Sequence, residues 1–181
     1  MQIKRITVFG GSQPKLEDPV YQDALRLGGL LGKAGYTILN GGYIGTMEAV
    51  SRGAVESGGH VIGITCDEIE RWRPGGANRW IQEEIRYPTI RERMFALIDN
   101  CDAAIALPGG FGTLTEIAMM WNLIICGAIK PRPLIVTGPG WKATFEEFFT
   151  SLGVYIHGDQ RQWLIFSPDV DTAFHLLVER L

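Results

Sequence analysis

Glu116 is the only charged residue between Asp102 and Lys130, in a stretch made of Ala103-Ala104-Ile105-Ala106-Leu107, the turn Pro108-Gly109-Gly110-Phe111-Gly112-Thr113, and a largely apolar run to Ile129. Burying an unpaired carboxylate costs several kcal/mol, a large share of a domain's stability, so this one must be partnered or put to use. A strand-length apolar run, a glycine turn and a helical pattern follow one another, the order in which a strand feeds a helix N-terminus that holds an anion. Gly109, Gly110 and Gly112 leave amides unblocked and Thr113 adds a hydroxyl, a donor set that suits a phosphate monoester. Glu116 lies one turn further on, roughly 5 Å along the axis, within reach of a sugar joined to that phosphate. A glutamate there can accept hydrogen bonds from ribose hydroxyls, stabilise an oxocarbenium-like transition state, or orient an attacking water.

Other chemistries fit less well. The spacing is neither Gly-x-Gly-x-x-Gly nor the Walker sequence, whose lysine is missing here. Pyridoxal phosphate needs a buried lysine, whereas Lys4, Lys15, Lys33, Lys130 and Lys142 fall at strand starts, helix surfaces or loops. His60, His157 and His175 are far apart and compose no metal set, so neither a metal nor a cofactor is expected. A net charge of −3 gives no electrostatic case for nucleic-acid binding.

Two more glycine turns sit at strand ends. Ile3 to Phe9 reads as a strand running into Gly10-Gly11-Ser12, where Gly11 and Ser12 would border a nucleotide. Tyr36 to Leu39 is a second strand, followed by Asn40-Gly41-Gly42-Tyr43-Ile44-Gly45-Thr46-Met47-Glu48, an echo of the later turn that brings Gly42 and Gly45 to the same crevice. Asp18-Pro19 opens a helix that Gly35 ends, and a further helix stops near Ser57-Gly58-Gly59. His60 to Thr65 is the third strand. Residues 67–82, with Arg71, Arg73 and Arg79 among Trp72 and Trp80, read as a surface loop or lid.

Glu83 to Tyr87 is a short strand, and Pro88 introduces a helix through Asn100 with an apolar stripe at Ile90, Met94, Leu97, Ile98 and Cys101. Arg91 and Arg93 fall on opposite edges of that stripe and Glu92 points outward; spacing alone does not choose between the arginines. Pro133 to Thr137 and Trp163 to Phe166 are strands, Trp141 to Ser151 is a helix, and Ser167-Pro168-Asp169 caps a last helix. This alternation specifies one α/β domain over residues 1–181, a three-layer Rossmann-like doubly wound parallel sheet with ligands at the carboxyl ends of its strands.

The helix over residues 113–127 carries Ile117, Met120, Trp121, Ile124, Ile125 and Ala128 toward the sheet, with Met119 and Leu123 on its other side. A helix apolar all round is buried on both faces, so a homodimer through it is expected. The N-terminus lacks the apolar core of a signal peptide, no uncharged stretch reaches membrane-spanning length, and Cys66, Cys101 and Cys126 read as reduced core thiols; the expectation is a cytoplasmic protein with no membrane role.

The run Pro108-Gly109-Gly110-Phe111-Gly112-Thr113-Leu114-Thr115-Glu116 resembles the Pro-Gly-Gly-x-Gly-Thr-x-x-Glu signature of the Lonely Guy family of cytokinin-activating phosphoribohydrolases, often mislabelled lysine decarboxylases. The resemblance extends to Val8-Phe9-Gly10-Gly11-Ser12, Gly41-Gly42-Tyr43-Ile44-Gly45-Thr46-Met47, His60-Val61-Ile62-Gly63 and Glu92-Arg93. It implies hydrolysis of the N-glycosidic bond of an adenosine-type 5′-monophosphate, including N6-substituted ones, to free base and ribose 5-phosphate without a cofactor. It also implies a catalytic pair of Arg93 and Glu116, selecting Arg93 over Arg91. The chain departs from the pattern at Asn40, Thr46, Glu48 and Arg91. The alternative is a carrier of a nucleotide or of molybdenum cofactor that uses the same crevice without turnover.

Overall fold

The computed structural model describes residues 3–181. Seven strands form one parallel sheet: β1 (Arg5–Phe9), β2 (Thr37–Asn40), β3 (His60–Cys66), β4 (Glu83–Tyr87), β5 (Ala103–Ala106), β6 (Leu134–Thr137) and β7 (Ile165–Ser167), in the spatial order β4-β3-β2-β1-β5-β6-β7. The helices are α1 (Pro19–Lys33), α2 (Thr46–Glu56), α3 (Asp67–Trp72), α4 (Ile90–Asp99), α5 (Phe111–Ile125), α6 (Pro139–Leu152) and α7 (Val170–Val178). The sheet is wound outward in both directions from β1, which pairs β2 on one side and β5 on the other, with Phe9 level with Ala106. That reversal opens a crevice at the carboxyl ends of β1 and β5, between the turns that follow them.

Alternate residues of each strand point to opposite layers. Phe9, Leu39, Ile62, Ile64, Ala104 and Ala106 face a core completed by α4, α5 and α6. Ile6, Val8, Ile38, Val61, Ala103 and Ile105 face one completed by α1, α2 and α7. Buried on both sides, the inner strands read as continuous apolar runs. β4 is the exception, an edge strand with Glu83, Glu84 and Arg86 exposed.

Three local expectations are corrected. Residues 67–82 are not all loop: Asp67 to Trp72 form α3, started by three carboxylates, Asp67, Glu68 and Glu70, that favour a helix N-terminus. Ile90 is 53% exposed, because it is the first residue of α4 and lies beyond the core that Leu97 and Ile98 enter. Glu92, exposed as expected, also completes a capping box in which Thr89 Oγ1 accepts from Glu92 N–H while Glu92 Oε2 accepts from Thr89 N–H at 3.1 Å. Cys126 and Ala128 are exposed, since α5 ends before them and Gly127 turns the chain with φ +69°.

Because α4 carries Arg93, its cap bears on the site. Thr89→Ala should lower the unfolding free energy by about 1 kcal/mol in urea denaturation. An unchanged denaturation midpoint would show that the box contributes nothing.

Candidate functional site

The turn after β5 has the geometry of an anion cradle. The first bond of its helix is donated by Leu114 N–H to Gly110 O, so the amides of Phe111, Gly112 and Thr113 precede the helical ladder and are free for a ligand. Gly110 and Gly112 face open space, leaving room for a ligand to approach the backbone. Gly109 is different. A methyl group on it would run into Thr113 Oγ1, so this glycine lets the turn fold over its own helix, with Thr113 itself buried.

Glu116 and Arg93 meet beneath that turn. Arg93 Nη1 lies 3.7 Å from Glu116 Oε1, an ion pair too long for a direct hydrogen bond, and the two side chains are only 8% and 15% exposed. The guanidinium is fixed from behind: Nε donates to Ile64 O at 2.8 Å, Nη2 donates to Gly41 O at 3.2 Å, and its centre lies 5.6 Å over the Tyr43 ring. Tyr43 is held in turn, its hydroxyl donating to Cys66 O and accepting from Cys66 N–H. Arg91, the other candidate, is exposed on the outer side of α4.

The second and first glycine turns serve this arrangement mostly through backbone packing. Gly41 has no room for a side chain because the Arg93 guanidinium occupies it. Gly42 and Gly45 adopt φ +79° and +75°, which only glycine takes without strain. Gly42 N–H donates to Asn40 Oδ1, and Gly45 lies against the backbone of Gly11 and Ser12. Gly11 N–H is engaged by Pro108 O at 3.2 Å, so it ties the first turn to the third and is not offered to an anion. Ser12 Oγ remains at the crevice, accepting from Arg73 Nη1 at 3.0 Å.

Two of the departures from the family pattern are thereby explained as turn chemistry. Asn40 is fully buried and its amide donates to Ser51 Oγ and Met47 O while its carbonyl oxygen receives Gly42 N–H. Thr46 Oγ1 donates to Gly11 O. Sequence reading named Gly41 and Tyr43 only as members of a turn, and Arg73 only among the arginines of the 67–82 loop, and gave none of them this role. Gly41 was signalled by its place in the turn, but nothing in the spacing announces that Ile64 and Gly41, far apart in the chain, supply the two carbonyls that orient one arginine.

Burial pushes the Glu116 carboxyl up to about 7, the nearby Arg93 charge pulling the other way. A carboxyl that keeps its proton in the folded state but loses it near 4.5 when unfolded stabilises the fold below pH 4.5. That contribution is lost as pH rises through 7. The expected difference in unfolding free energy between pH 5 and pH 8, wild type minus Glu116→Gln, is on the order of 3 kcal/mol. Parallel pH dependences for the two proteins would contradict this assignment.

The chain has known relatives. A family model described as LDcluster4, SLOG cluster4 family, matches residues 3–127. The chain is 32% identical over 185 aligned residues to a cytokinin riboside 5′-monophosphate phosphoribohydrolase of Arabidopsis thaliana, covering 98% of this chain and 84% of that one. It is 29% identical over 177 residues to the pyrimidine/purine nucleotide 5′-monophosphate nucleosidase of Escherichia coli K12, covering 91% of this chain and 38% of that one. Among solved structures, the molybdenum cofactor binding protein of Rippkaea orientalis superposes with a TM-score of 0.77 at 23% identity, covering 99% of this chain and 98% of the other, a likeness of fold.

Proposed function

This chain belongs to the SLOG cluster4 family of Lonely Guy proteins, and from that premise we propose that it hydrolyses the N-glycosidic bond of adenosine-type nucleoside 5′-monophosphates. The carrying observation is the buried Arg93 and Glu116 pair set one helical turn behind an open anion cradle. In this reading the amides of Phe111, Gly112 and Thr113, with Gly109 and Gly110 shaping the turn, hold the 5′-phosphate, while Ser12 borders the nucleotide. Gly11, Gly42 and Gly45 keep the turns close enough to form one crevice. The ribose then lies over Glu116.

The bond from the base nitrogen to C1′ breaks with its electron pair leaving on the base, C1′ takes on oxocarbenium character, a water oxygen bonds to C1′, and the proton that water loses ends on the departing base. Ionised Glu116 stabilises the positive sugar and accepts from a ribose hydroxyl or the water. Arg93 does not need to touch the substrate for this; its two carbonyl anchors aim it at Glu116 and hold the carboxylate in place. The 3.7 Å gap leaves Glu116 Oε1 without a short bond to Arg93, free to take one from substrate. Incubation with AMP and with N6-isopentenyl-AMP, followed by chromatography, should give free adenine and free N6-isopentenyladenine. Intact nucleotides bound without base release would favour the carrier alternative instead.

The second copy belongs to the same reading. Phe111 is 88% exposed and Leu114 38% on the outer side of α5, whereas Met119 and Leu123 lie well round the helix from Leu114 and half bury themselves in the chain's own core. A homodimer through this helix would cover Phe111 and Leu114. Sedimentation at micromolar concentration should show a dimer that Leu114→Glu converts to monomer, and a wild-type monomer would remove the proposal. Among the described residues no helix is long and apolar enough to cross a membrane.

A further inference from the structure

On the far side of the crevice wall lies a cavity of about 540 Å³ that the reaction above does not use. Tyr21 of α1 and Glu48 and Arg52 of α2 line it, from helices that cover the sheet face opposite the one that α4 and α5 cover, and neither Arg93 nor Glu116 is among its lining residues. Ser12 and Gly45 form the partition. Lys15, Arg52, Arg73 and Arg79 line it, with Glu48 as the one carboxylate, in a chain whose net charge is −3. Arg52 is paired with Glu56 at 2.8 Å, but Lys15, Arg73 and Arg79 form no ion pair among the described residues. Gathering unpaired cations around one concavity costs mutual repulsion that a bound polyanion relieves.

Apart from Ser12 and Gln13, the remaining wall is apolar or aromatic. Ile44 and Leu16 are 51% and 47% exposed there, Tyr21 lies in the floor, and Trp80 carries the Arg79 guanidinium 4.9 Å over its ring and that of Arg52 at 5.8 Å. The buried Trp80 indole N–H has no acceptor among the described residues. A lone phosphate would fill little of this volume and leave the apolar wall bare, whereas a flat ring joined to several phosphates satisfies both halves.

We propose that this cavity is a second ligand site, separate from the catalytic crevice, that takes a nucleoside triphosphate. The phosphates meet Lys15, Arg73 and Arg79, and the base lies against Ile44, Leu16 and Tyr21. Arg73 spans the two sites. It lines the cavity and donates to Ser12 Oγ in the partition, so its engagement by a polyanion reaches the crevice through one hydrogen bond.

The test is calorimetric titration of ATP, inorganic triphosphate and AMP into wild type, Glu116→Gln, and the exposed-residue variants Arg79→Glu and Lys15→Glu. ATP should bind wild type and Glu116→Gln alike, roughly tenfold or more tighter than inorganic triphosphate, and should still bind when AMP is saturating. Arg79→Glu and Lys15→Glu should each weaken ATP by about tenfold or more while AMP affinity holds. One-for-one displacement of ATP by AMP would make the cavity part of the substrate site and overturn the proposal. ATP binding that ignores both charge reversals would overturn it too. Neither result depends on turnover, so a failure of base release and a failure of this site are told apart.

Discussion

Glu116→Gln should slow release of adenine from AMP by about a thousandfold while leaving AMP binding within a few-fold of wild type. The amide is nearly isosteric with the carboxylate but carries no charge to set against a positive sugar, and its nitrogen cannot accept from a ribose hydroxyl. Binding survives because the phosphate donors precede this residue in the helix and do not depend on it. The reaction also acquires a pH signature from the same group. Since burial holds the free carboxyl near 7, kcat/KM should rise with pH through that region as the reactive carboxylate form accumulates. In Glu116→Gln the residual rate should show no such limb. A variant that turns over AMP at the wild-type rate would remove Glu116 from the chemistry altogether.

The second large effect belongs to Arg93. Arg93→Ala leaves the carbonyls of Ile64 and Gly41 without the donors they have now and leaves a buried carboxylate without its counter-charge. Breaking one partner out of a buried pair destabilises by about 3 to 5 kcal/mol, and the loss should appear in urea denaturation at pH 8, where Glu116 is ionised. It should shrink at pH 5, because a protonated Glu116 no longer needs the partner. Arg93→Lys should not rescue activity: a lysine ammonium cannot span Ile64 O, Gly41 O and Glu116 in one plane as the guanidinium does. An Arg93→Ala protein that is as stable as wild type at pH 8 would mean that the pair is not coupled in the folded state.

The order of strands and helices, and the crevice at β1 and β5, could be read from the sequence because apolar runs, glycine turns and capping residues are local signals. Glu116 was legible for the opposite reason, as one carboxylate in a segment with no other charge. Arg93 was not legible from spacing. Arg91 and Arg93 sit on the two edges of the same stripe, and the difference between them lies in Gly41 and Ile64, carbonyls on another strand end and another turn that only the parallel register brings within reach. The resemblance to a known family made the choice, and the burial of Arg93 supplies its physical basis. Elsewhere polar groups are satisfied locally in ways the spacing did not announce. Gly11, expected to border the nucleotide, spends its amide on Pro108. Asn40, a departure from the family pattern, organises the turn that holds Arg93. The basic cavity was hidden because its cations come from three separate stretches of chain: the loop after β1, α2, and the segment following α3.

The most direct test of the account is to run the reaction on AMP in ¹⁸O-labelled water and analyse both products by mass spectrometry. Hydrolysis at C1′ places the label in ribose 5-phosphate and releases unlabelled adenine in equal amount, with no inorganic phosphate. Label in inorganic phosphate, with adenosine as the other product, would mean that the crevice cleaves the phosphate ester and that Glu116 does not act on the bond between sugar and base.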